Sequence, residues 1–347
     1  MNRKVSDLQS DLFKLLTLRT SIQLESFSHF KVFLSEVDYD SVRRDVTLVV
    51  QLRFGRDQIA CIYEYVGENY LVLPYEFEEI KIPSLEAAPD LVPIQFIHLI
   101  TNQIEPTDKA SEGVLLEYVF VDPAIEFVQW EDILKYFPSF TMFKISDTLP
   151  EDEKEKMNFL KRLCIESVCQ NSSLLQLPFD NDTLNSFSSI ASSIDNNIPY
   201  DNVLRSLLSY HWKFCFIDLY RCQERLLMLA WVDEFKNTMN SSLPINELYN
   251  AMKSRYSTEH HEDENMRSLY RLLPQNILDI MTKASSPDTK ANYIYKLRNR
   301  IVHFQQSDAD IETMKNEEWN LIVRFVLESI PYLYNKLQNY IIELPGV

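Results

Sequence analysis

Residues 290–306 read KANYIYKLRNRIVHFQQ, a stretch in which apolar side chains recur every three or four positions and no acid occurs. On a helix that turns by about 100° per residue, Ile294, Leu297 and Ile301 share one face. The pattern therefore predicts an amphipathic helix over residues 288–304. The opposite face is polar and cationic, and it consists of Asn292, Lys296, Asn299, Arg300 and His303, with Arg298 on its flank.

The sequence on both sides of this stretch also favours helices. Apolar side chains recur at three- and four-residue intervals through residues 202–239, which predicts one long helical stretch. Residues 171–200 are rich in Ser, Asn and Asp, so we expect a loop or a loosely helical linker there. Strand patterns are absent from residue 156 onward, and residues 148–347 are therefore predicted to form an all-helical bundle domain. Further helices are predicted at residues 157–168, 244–256, 264–273, 274–282 and 308–342.

The first 147 residues have a different pattern. Residues 46–54 (VTLVVQLRF) are β-branched and partly alternating, and the short segments that follow are separated by turn residues such as Gly55 and Gly67. These features predict an α+β domain over residues 1–147. The predicted strands are 46–54, 59–66, 69–74, 92–100, 114–121 and 140–145, with helices at 6–19 and 123–136.

The composition excludes several classes of enzyme. Only 4 of the 347 residues are glycine and no two lie close together, whereas loops that cradle phosphates with backbone N–H groups need clustered glycines. Dinucleotide-binding enzymes, P-loop NTPases and glycine-loop kinases are therefore excluded. The net charge of -17 argues against a protein coated in nucleic acid, so a nucleic acid would have to bind at a local basic patch such as residues 290–306.

The sequence predicts a protein of the cytoplasm. It contains no apolar run long enough to span a membrane, and its start lacks the apolar segment of a secretory signal. The five cysteines are odd in number and show no C-x-x-C spacing, which is typical of reduced thiols that pack in a core. We expect no membrane partner and no cofactor.

The polar face of the predicted 288–304 helix suits a phosphate-bearing ligand, because it combines cations with an imidazole that can gain and lose a proton near neutral pH. Its residues Arg298-Asn299-x-x-x-His303 resemble the R-[polar]-x-x-x-H motif of the HEPN superfamily, which consists of all-helical domains found in many toxins, CRISPR-associated effectors and abortive-infection proteins. The resemblance covers roughly residues 155–345. It departs from one pattern of that family, in which a tyrosine follows the motif histidine by two residues, because Gln305 stands there.

The resemblance implies a metal-independent endoribonuclease of abortive-infection or toxin–antitoxin defence. Two protomers would face each other as a homodimer, with one composite site in the cleft between their motif helices. The catalytic residues would be Arg298, Asn299 and His303. The N-terminal domain would bind a trigger or an inhibitor protein.

Each site residue has a chemical role in this hypothesis. His303 would act as general base or general acid, and Arg298 would stabilise the charge that develops on the phosphorus. Asn299 would orient His303 or hold a phosphate oxygen, and Lys296 and Arg300 would bind the RNA backbone without sequence preference. Glu224 could support Arg298 by pairing with it if their helices pack together.

Two alternatives remain open on the sequence. The chain could be a non-catalytic HEPN-like scaffold that binds a nucleotide or a protein partner, or a regulatory protein in which the motif is fortuitous. The run His260-His261-Glu262-Asp263-Glu264 has metal-ligand residue types, but it is typical of a solvated loop, so we expect no metal site.

Overall fold

The structure is a computed structural model and describes residues 12–17, 31–32, 46–53, 59–74, 77, 80–88, 106–107, 110–111, 127–128, 133–255, 262–303, 311 and 313–344. The chain divides into two compact units, Met1–Leu160 and Lys161–Val347. The division lies within helix α1 (Glu153–Gln170), later than the boundary predicted after residue 147. Asp152 begins this helix, because its carboxylate accepts hydrogen bonds from the backbone N–H groups of Lys154 and Glu155.

The first unit contains an antiparallel sheet of five strands. The order of its strands is β2-β3-β4-β7-β5, and each pair of neighbours runs antiparallel. The predicted strands at 46–54, 59–66, 69–74 and 140–145 are present, whereas Leu85–Ala87 is a strand that the sequence analysis missed. The strands are β1 (Lys31–Val32), β2 (Val46–Arg53), β3 (Ile59–Tyr65), β4 (Glu68–Pro74), β5 (Leu85–Ala87), β6 (Phe127–Val128) and β7 (Phe140–Ile145).

The turn between β3 and β4 consists of two residues, Val66 and Gly67. Their φ angles are 56° and 77°, which matches the positive φ that a tight hairpin turn requires at both central positions. Glycine adopts this conformation without steric cost, whereas a β-branched valine is strained by it. The turn fixes the register in which Tyr65 pairs with Glu68.

The second unit is built from helices. Helix α10 is its centre, since it packs against α2, α4 and the short α8, and α9 packs against α7 and α4. The stacked rings of Trp212 and Trp319, with centroids 6.2 Å apart, belong to the core between α4 and α10. The helices are α2 (Asn181–Ser192), α3 (Tyr200–Leu207), α4 (Trp212–Glu224), α5 (Leu227–Thr238), α6 (Ile245–Arg255), α7 (Glu262–Arg271), α8 (Gln275–Leu278), α9 (Pro287–His303), α10 (Asn316–Lys336) and α11 (Gln338–Glu343).

The prediction of an α+β region followed by a helical region is thus confirmed, but several details of the helical region differ from the prediction. The stretch 171–200, expected to be a loop or a loosely helical linker, contains the regular helix α2, which Asp180 caps by accepting from the backbone N–H of Thr183 at 2.8 Å and which buries Phe187. The single helix predicted at 308–342 is divided at Leu337 into α10 and α11. The stretch 202–239 is three helices instead of one. His211 begins the second of them, because its Nδ1 accepts from the backbone N–H of Lys213.

Other predictions fall on residues with no structural description. The predicted strands at 92–100 and 114–121 lie outside the described residues, as does Gln305. The predicted helix at 123–136 is wrong at Phe127–Val128, which is a strand that pairs in parallel with Lys31–Val32. In the described parts of the chain, no helix is both long enough and apolar enough to cross a membrane.

Candidate functional site

Helix α9 carries the motif, and its first turn is fixed by side-chain caps. Ser286 and Thr289 exchange hydrogen bonds, each hydroxyl accepting from the other's backbone N–H at 3.2 and 3.0 Å. This arrangement satisfies backbone donors that a helix leaves unpaired at its start. Pro287 follows at the first helical position, where a missing N–H costs nothing. The sequence therefore fixes where the helix begins and, by its 3.6-residue period, where each motif side chain lies.

An ion-pair network joins the start of α9 to α7 and α5. Arg271 donates to both carboxylate oxygens of Asp288, at 2.9 and 3.0 Å, and to Glu234 at 2.7 Å. The hydrogen bonds from Arg271 lower the pKa of the Asp288 carboxyl below its usual value. This bidentate contact fixes the rotation of α9 against its neighbours.

The back of α9 packs into the core. Ile294 and Leu297 are buried as the periodicity predicted, whereas Ile301 of the same predicted face is only half-buried; Ala291 is buried as well. Lys290 is buried too, and its ammonium donates to the backbone carbonyls of Met281 and Ala284. Burial lowers the pKa of Lys290. This lysine therefore belongs to the packing of the helix and not to its cationic face.

Arg298 lies in a pocket of acidic and aromatic side chains. Its Nη2 is 3.2 Å from Oε1 of Glu224 on α4 and 3.7 Å from Oε1 of Glu262 on α7. Its guanidinium lies over the ring of Tyr220, 5.7 Å from the centroid. Only 21% of the Arg298 side chain is exposed. The pairing with Glu224 that the sequence allowed for is therefore present as a packing contact.

Tyr220 also holds one of the two carboxylates in the pocket around Arg298. Its hydroxyl donates to Oε1 of Glu262 at 2.9 Å. Burial and the adjacent Glu262 carboxylate raise the pKa of Tyr220 far above its usual range, so the phenol stays protonated and keeps donating. The Glu262 carboxylate is thereby held between a phenol and a guanidinium.

Asn299 and His303 lie on the exposed side of the helix. Oδ1 of Asn299 accepts from Nη1 of Arg298 at 2.9 Å, so Asn299 supports the arginine. His303 is exposed and is the last residue of α9. Within the described part of the chain, no hydrogen bond joins Asn299 to His303, and Arg298 has no recorded contact with His303. One copy of the chain therefore brings together Arg298, Asn299 and Glu224, but not His303.

Lys296 and Arg300 line a cleft on the other flank of α9. The cleft has a volume of about 410 Å³. Lys283, whose ammonium pairs with Glu318 and lies 5.8 Å from the centre of the Tyr293 ring, is a third cation in its wall. Burial raises the pKa of Tyr293. The other lining residues are Leu297, Ile311, Thr313 and Met314.

The sequence analysis missed the parts of this site that come from distant segments. Glu262 was considered only as part of a run of metal-ligand types, and Lys283 and Tyr293 were not considered. No spacing rule could have found Glu262, because its relation to Arg298 exists only through the packing of α7 on α9. Tyr293 was detectable, since it falls beside Lys296 and Arg300 on the helical wheel.

Among the described residues, no group of three or more His, Cys, Asp or Glu side chains could hold a metal ion; His260 and His261 lie outside them. Comparison with known proteins finds no matching family model, no similar curated protein and no similar solved structure. The function must therefore be argued from the site itself.

Proposed function

We propose that this chain is a metal-independent endoribonuclease that cleaves RNA by attack of the 2′-OH on the adjacent phosphorus. The observation that carries the proposal is the polar face of α9. It presents an exposed imidazole, His303, one turn from Asn299, which in turn holds the guanidinium of Arg298. An imidazole and a fixed guanidinium are the groups that proton transfer and phosphate stabilisation require.

The reaction needs two proton transfers. A base removes the proton of the 2′-OH as its oxygen bonds to phosphorus, and an acid protonates the 5′-oxygen as the P–O5′ bond breaks. The products are a 2′,3′-cyclic phosphate and a 5′-hydroxyl. One His303 cannot be base and acid in the same step, so the proposal includes a homodimer in which each copy of α9 contributes one imidazole to a composite site.

The carboxylates around Arg298 fix its orientation before RNA binds. Glu224 and Glu262 contact one edge of the guanidinium, and the Tyr220 ring covers part of its face. A guanidinium that is already oriented needs little reorganisation when charge develops on the phosphorus. Lys296 and Arg300 would contact the flanking backbone phosphates.

The proposed setting is defence against phage by abortive infection, or a toxin–antitoxin system, in the cytoplasm. The sheet-containing unit would receive the trigger or bind an inhibitor protein. An acidic molecule of net charge -17 would repel bulk RNA, so RNA would be engaged only where the cationic faces of the two α9 helices meet.

The test compares the wild-type protein with His303→Ala and Arg298→Ala, using exposed Arg205 on α3 as the control position (Arg205→Ala). We expect each site variant to lose at least about 100-fold in cleavage rate, which is the lower end both for a general acid–base group and for a group that stabilises developing charge. Wild type and control should cleave equally with EDTA present and leave cyclic-phosphate ends. Full activity in either site variant, or an absolute need for a divalent metal, would refute the proposal.

A second candidate is a non-catalytic scaffold that binds a nucleotide or a protein partner. The observation in its favour is that two carboxylates already neutralise the charge of Arg298. It predicts that the wild-type protein binds a ligand without cleaving RNA at any concentration, and that His303→Ala behaves like wild type. Sequencing of RNA ends from cells that express each variant separates the two candidates.

A further inference from the structure

Among the described residues that line it, the cleft beside α9 has three cations and one carboxylate, Glu318. Of its three cations, Lys283 is paired with Glu318. Neither Lys296 nor Arg300 forms an ion pair with any residue that the structure describes. They lie four residues apart on one helix, a spacing at which like charges repel and destabilise the helix. A bound anion would remove this repulsion.

The rest of the wall is apolar and aromatic. Leu297 and Ile311 are buried, and Met314 is half-buried beside them. The half-buried Tyr293 contributes an aromatic ring, and burial raises the pKa of its hydroxyl. A volume of about 410 Å³ lies within the range of sites for small organic ligands, and is larger than an inorganic phosphate needs.

From this arrangement we propose that the cleft is a binding site for a nucleoside phosphate, with Lys296 and Arg300 on the phosphate and the apolar wall against the base and ribose. The same chemistry is offered by a free nucleotide and by one nucleotide of an RNA strand. If the ligand is one nucleotide of an RNA strand, the inference rests on the proposed function, since the cleft then adds a subsite to the helix that cleaves the strand. If the ligand is a free nucleotide, the inference does not depend on whether the protein cleaves RNA.

The test measures binding to the full chain by titration calorimetry, with ligands that cannot be cleaved. The probes are adenosine 5′-monophosphate, adenosine, and a single-stranded RNA octamer with 2′-O-methyl groups, which lacks the attacking hydroxyl. The variants are Lys296→Ala/Arg300→Ala and a matched double, Lys336→Ala/Arg205→Ala. The matched double also removes one Lys and one Arg, but neither residue lines the cleft.

We expect at least one of the two phosphate-bearing probes to bind the wild-type protein. The cleft double should weaken binding by about 10-fold or more, because it removes two charge-assisted contacts, and the matched double by less than about 2-fold. Binding of the monophosphate identifies a free nucleotide as a ligand, whereas binding of the octamer alone identifies a strand. Far-UV circular dichroism of both doubles, which should match that of the wild type, checks that the fold is retained.

Three results would overturn the inference: neither phosphate-bearing probe binds, adenosine binds as tightly as its monophosphate, or the two doubles weaken binding equally. The catalytic proposal is kept separate by His303→Ala, which leaves the cleft lining intact and should bind the monophosphate as the wild type does. If the cleft binds and His303→Ala cleaves normally, the catalytic proposal fails and the cleft stands. If His303→Ala abolishes cleavage while the cleft double changes neither binding nor cleavage, the catalytic proposal stands and the proposal for the cleft fails.

Discussion

Arg298 shows how a single side chain acquires its properties from residues that are distant in the chain. A solvated arginine attracts an anion with its full positive charge. In Arg298, by contrast, one guanidinium nitrogen lies 3.2 Å from Glu224 and 3.7 Å from Glu262, and the Tyr220 ring covers one face of the guanidinium. These contacts orient the guanidinium and reduce the positive potential that it presents to a phosphate. The contacts that orient the Arg298 guanidinium therefore also weaken its attraction for a phosphate.

This opposition gives a prediction for Glu262→Gln. The amide still accepts the hydrogen bond of Tyr220 but carries no charge, so Arg298 should attract phosphate more strongly. We expect affinity for the 2′-O-methyl octamer to rise about 3- to 5-fold, the equivalent of a partly exposed ion pair. Fluorescence anisotropy at constant salt measures the change.

The control for this prediction is Glu264→Gln on the same helix. Glu264 pairs with Arg267 and approaches Arg271, and it has no recorded contact with Arg298. If both variants raise the affinity equally, the effect is one of overall charge and the account of Arg298 is wrong. The same holds if Glu262→Gln leaves the affinity unchanged.

At the scale of the element, α9 is positioned by its first turn and by its apolar back. The Ser286–Thr289 cap sets where the helix starts, and the contact between Arg271 and Asp288 sets its rotation. Because Asp288 is also in the first turn, its negative charge interacts favourably with the helix dipole. The orientation of Arg298, Asn299 and His303 is thus set by residues at the other end of α9 and on a neighbouring helix.

Asp288→Asn tests this account through the dependence of stability on pH. The Asp288 carboxyl has a lowered pKa in the folded protein, so its stabilisation is complete above the pKa of an unfolded aspartate, about 3.9. This stabilisation is lost as the pH falls through the lower pKa that Asp288 has in the folded protein. At pH 7 we expect Asp288→Asn to lower the free energy of unfolding by about 1 kcal/mol. The loss is small because water screens this half-exposed bidentate pair.

The measurement is urea unfolding followed by helical circular dichroism from pH 7 to pH 3. The difference between the wild type and Asp288→Asn should shrink below about pH 4, as the wild-type carboxylate is protonated. Asp147→Asn is the control, because Asp147 is exposed and forms no ion pair with the described residues. A difference that does not depend on pH would show that the ion pair is not its source.

At the scale of the whole molecule, the proposed chemistry needs a second copy of the chain. In one copy Arg298 points to the carboxylates of α4 and α7, while His303 lies exposed at the end of α9. A composite site would combine groups from both copies.

Mixed dimers test this directly. A dimer of one wild-type chain and one His303→Ala chain retains a single imidazole, which can serve as base or as acid but not as both. If the two imidazoles act in one composite site, we expect this mixed dimer, purified with two different affinity tags, to lose nearly as much cleavage activity as the His303→Ala homodimer. Half of the wild-type activity, with the mixed dimer intact by light scattering, would show that each copy of the chain cleaves independently and that the site does not combine groups across the interface.

Much of the fold was predictable because the relevant patterns are local. The strands at 46–54, 59–66 and 69–74 follow from alternation and turn residues, and α9 follows from its apolar stripe. Leu85–Ala87 was not predictable, since three residues are too few to show a period. The break at His211 was hidden because α3 and α4 bury side chains in the same core, so that the apolar spacing continues across the turn.

The sequence by itself determined the helix that carries Arg298, Asn299 and His303, because a cap and a 3.6-residue period depend only on neighbouring residues. It also excluded phosphate-binding glycine loops, which composition alone decides. Only the tertiary structure decided that Arg298 meets Glu224, 74 residues away, that Lys290 is buried, and that Lys283 joins the cleft of Lys296 and Arg300. Such contacts depend on how helices pack, and packing is a property of the folded chain that no local pattern contains.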